Sequence, residues 1–388
     1  MNIQKIHLAH SCAADARQAV AEFHAAVVQP DMELVIFFCS SEYNLDVLAE
    51  EINRLFAGIQ VVGCTTAGEI GPSGYRSHSL SGACFPAGSC VAVNGLLDRL
   101  HQFDMTRGND FAQTLLQRLE SRAPGAGPDN SFAFLLIDAM SRREEPVTHA
   151  LHYALGKIAL FGGSAGDDLH FVKTHVFADG HFHSDSAALI LINTSLPFKI
   201  FKTQHFVPTD ERLVVTEADP VRRIVFEING LPAAEEYSRL VGVEEHELNA
   251  MSFAASPVVV MIDGTDYVRS IQKANPDGSL SFYCSIEEGL VLRVAHGVDL
   301  VRNLEHTFDL IRAEIGPPQL VFGCDCILRN LELTENGLKE RVGEIFVRNN
   351  SIGFSSYGEQ FRGVHVNQTL TGCAIGAAPE AEPEVSDA

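Results

Sequence analysis

The feature that most constrains this chain is a stretch used twice. Residues 63–85 read GCTTAGEIGPSGYRSHSLSGACF, and residues 353–375 read GFSSYGEQFRGVHVNQTLTGCAI. The two copies keep one register with no gap. Gly63, Gly68, Glu69, Leu80 and Gly82 recur as Gly353, Gly358, Glu359, Leu370 and Gly372. Each copy follows an apolar strand-like run, residues 34–38 and 320–322, and a helical segment, residues 45–56 and 334–346. A looser copy lies between them. Residues 132–137 read as a strand, residues 145–156 as a helix with Pro146 near its first turn, and residues 158–161 as a short strand. Ser164-Ala165-Gly166-Asp167 then mirrors Thr66-Ala67-Gly68-Glu69. Two close copies and a looser third indicate duplication inside a globular protein rather than a solenoid. The expectation is an α+β chain of two domains, with mixed β-sheets flanked by helices. Its strand–helix–strand–turn–strand unit is expected to repeat about an internal pseudo-two-fold.

The clearest hairpin has its turn at Asp179-Gly180, a dipeptide suited to two-residue type I′ turns. That turn sets Ala178 opposite His181, Phe177 opposite Phe182, and Val176 opposite His183. His181 and His183 then share one face with Val176 and Ala178, because side chains alternate along a strand. Between residues 196 and 220 the sequence becomes more charged and richer in proline. The first domain is therefore expected over 1–200, a boundary segment over 201–220, and the second domain over 221–376. The acidic, proline-bearing residues 377–388 are expected to be a disordered tail.

Composition narrows the function classes. Hydrophobic residues make up 46% of the 388, enough for a packed core. The net charge of −22 argues against nucleic-acid binding and against an acidic membrane surface, which need basic patches. Nine cysteines is an odd count, and several sit in apolar strands, which reads as reduced buried thiols in a cytoplasmic protein. Cys324-x-Cys326 is too closely spaced for a zinc knuckle and has no second pair. No apolar run approaches the ~20 residues of a membrane-spanning helix.

The turn units are the first candidate site. Glycine allows a sharp turn after a strand, and a carboxylate at a strand end stands where ligands often meet α/β sheets. Gly68, Glu69, Gly166, Asp167, Gly358 and Glu359 are therefore candidate ligand residues. The competing reading is a structural turn whose carboxylate caps local donors. Gly162-x-Ser164-x-Gly166 matches the nucleophile-elbow pattern, but a hairpin strand follows where that motif needs a helix. A serine hydrolase using Ser164 is the remote alternative to a protein with no catalytic activity of its own. It would require a histidine bonded to the Ser164 hydroxyl and a nearby oxyanion hole.

Three segments resemble the FIST family. FGGSAGDDLHFVKTHVFADGHFHSDSAALILI is similar to the end of the FIST N-terminal domain. RIVFEINGLPAAEEYSRLVG and GFSSYGEQFRGVHVNQTLTGCAIG are similar to the beginning and end of the FIST C-terminal domain. The resemblance implies a bacterial sensory protein of signal transduction that binds a small ligand. A chain of this length further resembles the nitric-oxide-sensing NosP group, which implies a haem cofactor and a partner histidine kinase. His183, in GHFHSD, is the match to the group's haem-ligating histidine, with His181 beside it as the competing ligand. The alternative the resemblance leaves is a FIST module for a non-haem metabolite such as an amino acid.

Overall fold

The structure is a computed structural model that describes residues 5–262 and 264–377. The expected tail, residues 377–388, lies outside the described residues except for Ala377. The chain opens with a unit of β1 (His7–Ser11), α1 (Ala16–Val27), β2 (Met32–Ser40), α2 (Leu45–Leu55), β3 (Gln60–Thr66), the hairpin β4 (Glu69–Gly71) and β5 (Gly74–Arg76), and β6 (Leu80–Pro86). The same order follows in β7 (Val91–Leu97), α3 (Met105–Arg122), β8 (Ser131–Ile137), α4 (Glu144–Leu155), β9 (Ala159–Ser164), the hairpin β10 (Val176–Ala178) and β11 (His181–His183), and β12 (Ala187–Asn193).

The third unit begins with β13 (Phe198–Thr203) and is then interrupted. The inserted domain comprises β14 (Phe206–Asp219), β15 (Ile224–Ile228), β16 (Leu231–Pro232), α5 (Ala233–Val241), α6 (Ala250–Ala255), β17 (Val258–Ile262), β18 (Thr265–Arg269), β19 (Ile271–Ala274), β20 (Leu280–Phe282) and β21 (Val291–Gly297). The unit resumes with α7 (Leu300–Ile315), β22 (Pro318–Cys326), α8 (Ile327–Glu335), α9 (Lys339–Arg348), β23 (Ser351–Ser356), the hairpin β24 (Glu359–Phe361) and β25 (Val364–Val366), and β26 (Leu370–Gly376). The stretch 201–220, expected as a boundary segment, lies mostly in β13 and β14.

Each unit builds one six-stranded sheet, and each sheet is finished by a neighbour. The orders are β1-β6-β2-β3-β10-β11, β7-β12-β8-β9-β24-β25 and β13-β26-β22-β23-β4-β5. The first unit's hairpin completes the third sheet, the third's completes the second, and the second's completes the first. The two close sequence copies have matching pairings: β2 and β22 lie parallel to β3 and β23 and antiparallel to β6 and β26. The middle copy joins them as an equal member. The relation among the units is thus cyclic over three sheets, wider than the two-fold pairing expected from the sequence.

Period-two alternation explains why the central strands are apolar throughout. Leu34, Ile36 and Phe38 of β2, Phe132, Phe134 and Leu136 of β8, and Leu320, Phe322 and Cys324 of β22 share one central core. The intervening residues face helices: Val35 and Phe37 meet α1 and α2, Ala133 and Leu135 meet α3 and α4, and Val321 meets α7 and α9. Strands covered on both faces lose the polar alternation of a half-exposed sheet. The centre is largely phenylalanine, with Phe38 stacked on Phe354 at 4.7 Å and Phe134 edge-on to Phe322 at 5.3 Å. The inserted domain has its own core, which also takes in Phe361 and Val366 of the β24–β25 hairpin. Because that hairpin belongs to the middle sheet, the insertion is seated beside the middle unit.

The glycine after each apolar strand reflects a close approach. A methyl group on Gly63, Gly162 or Gly353 would lie 2.5, 2.2 or 2.1 Å from the carbonyl oxygen of Phe37, Leu135 or Gly323 on the parallel strand. A backbone oxygen held in a sheet cannot move aside as a side chain can. Gly162→Ala is expected to cost about 1–3 kcal/mol of stability through overpacking. Urea unfolding would show it as a lower midpoint with an unchanged slope. An unchanged midpoint would mean that the strands yield without cost.

Candidate functional site

Glu69 and Glu359 turn out to be internal clamps. One Glu69 oxygen meets the Thr66 hydroxyl at 2.5 Å. The other accepts from the Ser79 amide at 3.1 Å and its hydroxyl at 2.6 Å. Glu359 repeats the pattern with the Ser356 hydroxyl at 2.6 Å and the Thr369 amide and hydroxyl at 3.3 and 2.6 Å. Each carboxyl therefore ties the residue before an exchanged hairpin to the residue after it. Both side chains are sealed from solvent. They do not line a ligand site, and Gly68 and Gly358 beside them serve the same turns. This corrects the ligand-binding expectation for these four residues. The capping alternative describes them instead.

Burial, only partly offset by the hydroxyl partners, raises the pKa of each glutamate from 4.5 to about 8. A folded value above the unfolded one favours the folded state while the group is protonated. That stability is present in full below pH 4.5 and is lost as pH rises to about 8. Gln at both positions keeps one donor and one acceptor but cannot titrate. The double variant Glu69→Gln/Glu359→Gln should show a flatter decline of urea midpoint between pH 5 and 8 than the parent. Parallel curves would mean that the two carboxyls titrate alike in the folded and unfolded chain.

The middle unit departs from this plan. Strand pairing makes Val176, opposite Cys64, the counterpart of Glu69 opposite Phe354 and of Glu359 opposite Gly163. Asp167 is therefore offset from the position its motif suggests. Residues 165–175 form a longer loop in this unit. The clamp passes to Asp138, which accepts from the Met140 and Asp185 amides at 2.9 and 2.5 Å and from the Thr174 hydroxyl. Asp167 instead organises the loop. It accepts from the amides of Phe171, Val172 and Lys173 at 2.8–2.9 Å. It also accepts the hydroxyl of Tyr357, which comes from the third unit. The Tyr357 ring stacks on Phe171 at 4.3 Å. Gly166 packs against the Ala67 backbone and is a packing position, not a ligand contact.

Beside this stacked pair lies a cleft of ≈ 330 Å³ between the middle unit and the inserted domain. Its walls include Met140, Arg142 and Phe171 on one side, Arg222, Lys273 and Tyr283 on the other, and Tyr357. Arg223 anchors the junction. Its guanidinium donates to Glu144 at 2.7 Å, Glu145 at 2.8 Å and the Tyr283 carbonyl at 2.7 Å. Burial raises the Glu144 pKa, although Arg223 opposes the shift. Removing one member of such a buried ionic group typically costs about 3–5 kcal/mol, because a charge is left unpaired. The arginine is thus committed to joining two parts of the chain. Arg142, Arg222 and Lys273 have no ion pair among the described residues.

The other candidates from the sequence are placed elsewhere. The hairpin pairs as expected, with Val176 opposite His183 and Ala178 opposite His181. Asp179 and Gly180 have the positive φ values, 50° and 80°, of its turn. His183 is half-buried on an edge strand, and its Nε2 lies 3.1 Å from the Ala178 carbonyl oxygen. His181 is exposed, with Nδ1 2.9 Å from the Asp179 oxygen. The apolar run 187–192, expected to line a porphyrin, is β12, buried inside the middle sheet. A larger cavity, ≈ 660 Å³, touches the hairpin through Phe177, Asp179 and Gly180, and Phe177 lies on the opposite face from His183. Neither His181 nor His183 lines this cavity. Ser164 is sealed, and its hydroxyl accepts from Gln360 Nε2 at 2.9 Å, with that amide also 3.3 Å from His365 Nδ1. A glutamine stands where a hydrolase needs the imidazole.

Sequence reasoning missed the cleft residues. One signal was available: Tyr357 replaces Ala67 where the other exchanges between the copies are mostly mild. The adjacent Arg222-Arg223 pair in an acidic chain was another. Neither signal shows that the insertion seats against the middle unit.

Fold and cleft together define a class: a cyclic three-unit α+β scaffold with an inserted domain and a ligand-sized cleft at their junction. The chain belongs to the FIST family. The family model for the FIST N domain matches residues 33–231, and that for the FIST C domain matches residues 233–362. FIST domains are associated with sensory signal transduction and small-ligand binding. The division at residue 232 falls inside the inserted domain, so β13 to β15 belong to the N-domain match yet pair with strands of the C-terminal half. No curated protein matches the sequence. A chorismatase crystal structure is similar over 97% of this chain and 99% of that one, at 7% identity and a TM-score of 0.38, too low to bear on function. No helix among the described residues is long and apolar enough to cross a membrane.

Proposed function

We propose that this protein is a non-catalytic sensor that holds a small metabolite in the cleft beside Phe171 and Tyr357. The carrying observation is that three parts of the chain meet there. Phe171 comes from the middle unit, Tyr283 from the insertion and Tyr357 from the third unit. A ligand touching all three favours one arrangement of them over others, and differential affinity is what lets a ligand shift a conformational equilibrium. Loop 165–175, held by Asp167 and Tyr357, is the element best placed to report occupancy to a partner such as a sensor histidine kinase. The nine free thiols suit a reducing, cytoplasmic setting.

Equilibrium dialysis against a mixture of cellular metabolites, read by mass spectrometry, tests this. The parent protein should enrich a compound that Gln272→Trp, an uncharged block at the cleft wall, does not. Enrichment that persists in the blocked variant, or no enrichment at all, would overturn the reading. Labelling of Ser164 by an active-site serine probe would restore the hydrolase alternative.

The haem-based reading of nitric oxide sensing rests on the resemblance to the NosP group. It would use a His183 ring nitrogen, and Nδ1 is the one that does not meet the Ala178 carbonyl. It has its own readout. A Soret band in protein from haem-replete cells, shifted by nitric oxide and lost in His183→Ala, would support it. A colourless protein that takes up no added haem would retire it.

A further inference from the structure

We infer that the ligand of the cleft is a small aromatic carboxylate, its ring lying among Phe171, Tyr357 and Tyr283 and its carboxylate met by Arg142, Arg222 and Lys273. The inference rests on the cleft being the ligand site and adds the chemical class. Its first support is charge. The chain carries −22 overall. Four cationic side chains nevertheless line one cleft, and of these only Arg223 has an ion pair among the described residues. The carboxylates of Glu144 and Glu145 do not supply a partner to the other three, and Asp277 acts on Arg222 only through space. Glu144 is bonded to Arg223, and Glu145 is bonded to Arg223 and to the Ser285 amide at 2.7 Å. Arginine forks suit carboxylate geometry, and lysine adds a mobile point charge.

The second support is shape. Phe171 and Tyr357 stack at 4.3 Å with their planes 16° apart, and Tyr283 lies 6.4 Å from Phe171. Aromatic walls favour flat apolar groups through offset-stacked and edge contacts. The volume of ≈ 330 Å³ stands at the small end of ligand pockets, which suits one or two rings. The position of the charges supports the same orientation. Arg142, Arg222 and Lys273 are exposed at the rim, while the rings are more buried. A ring can therefore enter while its carboxylate stays near water, which avoids the cost of fully burying an anion.

The test uses 2-naphthoate as the probe, with 2-naphthamide and cyclohexanecarboxylate as its neutral and non-aromatic counterparts. The parent and the double variant have no tryptophan, so their naphthoate fluorescence is read without indole background, and the Gln272→Trp variant is read by equilibrium dialysis. Naphthoate should bind saturably, and each counterpart should bind roughly tenfold or more weakly, the amide through loss of a charge-assisted contact and the cyclohexane acid through loss of ring stacking and apolar area. Arg142→Gln/Lys273→Gln alters exposed residues and should weaken naphthoate by a similar factor without shifting thermal unfolding. Raised salt should weaken it too, since the cations are exposed. Equal binding of the amide, or an unaffected double variant, would overturn the anionic assignment. Equal binding of cyclohexanecarboxylate would overturn the aromatic one. Absence of saturable naphthoate binding up to about a millimolar, weaker than useful recognition, would overturn both. Gln272→Trp separates the two levels. Tight amide binding that this variant abolishes leaves the cleft as the site and removes only the ligand class. Naphthoate binding that survives it removes the cleft itself.

Discussion

Each parallel pair in this fold has an open edge, and the architecture follows from how that edge is closed. Strands β3, β9 and β23 expose a row of backbone donors and acceptors, which in water invites pairing with another chain. Each is covered by a hairpin from another unit: β10 on β3, β24 on β9 and β4 on β23. The exchange is cyclic, so no unit has a complete sheet without another. It also draws the inner faces of the three sheets onto one phenylalanine-rich core. Such contacts are individually small but add over many buried rings. Hairpin exchange and central packing therefore stabilise the same arrangement.

The cleft follows from two departures from that regularity. The middle unit has Val176 where the others have a glutamate, and its loop 165–175 is free to form around Asp167. The third unit is interrupted after β13, and the insertion packs on the hairpin that this unit lends to the middle sheet. Tyr357 links the two departures, because it precedes that hairpin and closes over the loop. The cleft thus lies where the repeat is broken. The two regular copies bury their carboxyls and present no open valence to a ligand.

Much of the scaffold was legible from residues. Long apolar runs such as LVIFF gave the central strands, because strands covered on both faces are apolar at every position. Asp179-Gly180 gave the hairpin register, since the turn fixes which residues face each other. What could not be read was the destination of the hairpins. Strands of three residues, such as Glu69–Gly71, carry too little pattern to indicate which sheet they join. The likeness of SAGD to TAGE put Asp167 in the place that strand pairing gives to Val176, because pairing rather than motif similarity decides equivalence. The charged run 201–220 suggested a boundary, but most of it is strand, and β14 buries Leu213 and Val215 in the inserted core while its polar residues face water. His183 lay in the expected pair, yet the sequence could not show that its nitrogen meets a main-chain carbonyl.

The two clamp glutamates show why buried acids persist in such a scaffold. Burying an ionised carboxylate costs several kcal/mol even after relaxation, and at both glutamates burial outweighs the hydrogen bonds that favour the charged form. Three hydrogen bonds do not offset the charged form, so the proton stays, in line with the raised pKa of both groups. A neutral acid can donate as well as accept. Glu69 can give its proton to the Thr66 hydroxyl, and Thr66 can then donate to the Cys39 carbonyl at 3.3 Å. The clamp thereby reaches from the hairpin root to the end of β2. An apolar side chain would fill the same space without these bonds. In the middle unit Val176 does so, and Asp138 has to make the connection from another strand. The regular copies spend a buried acid on fixing where a hairpin leaves its own unit, and that departure point is what allows the hairpin to reach the neighbouring sheet.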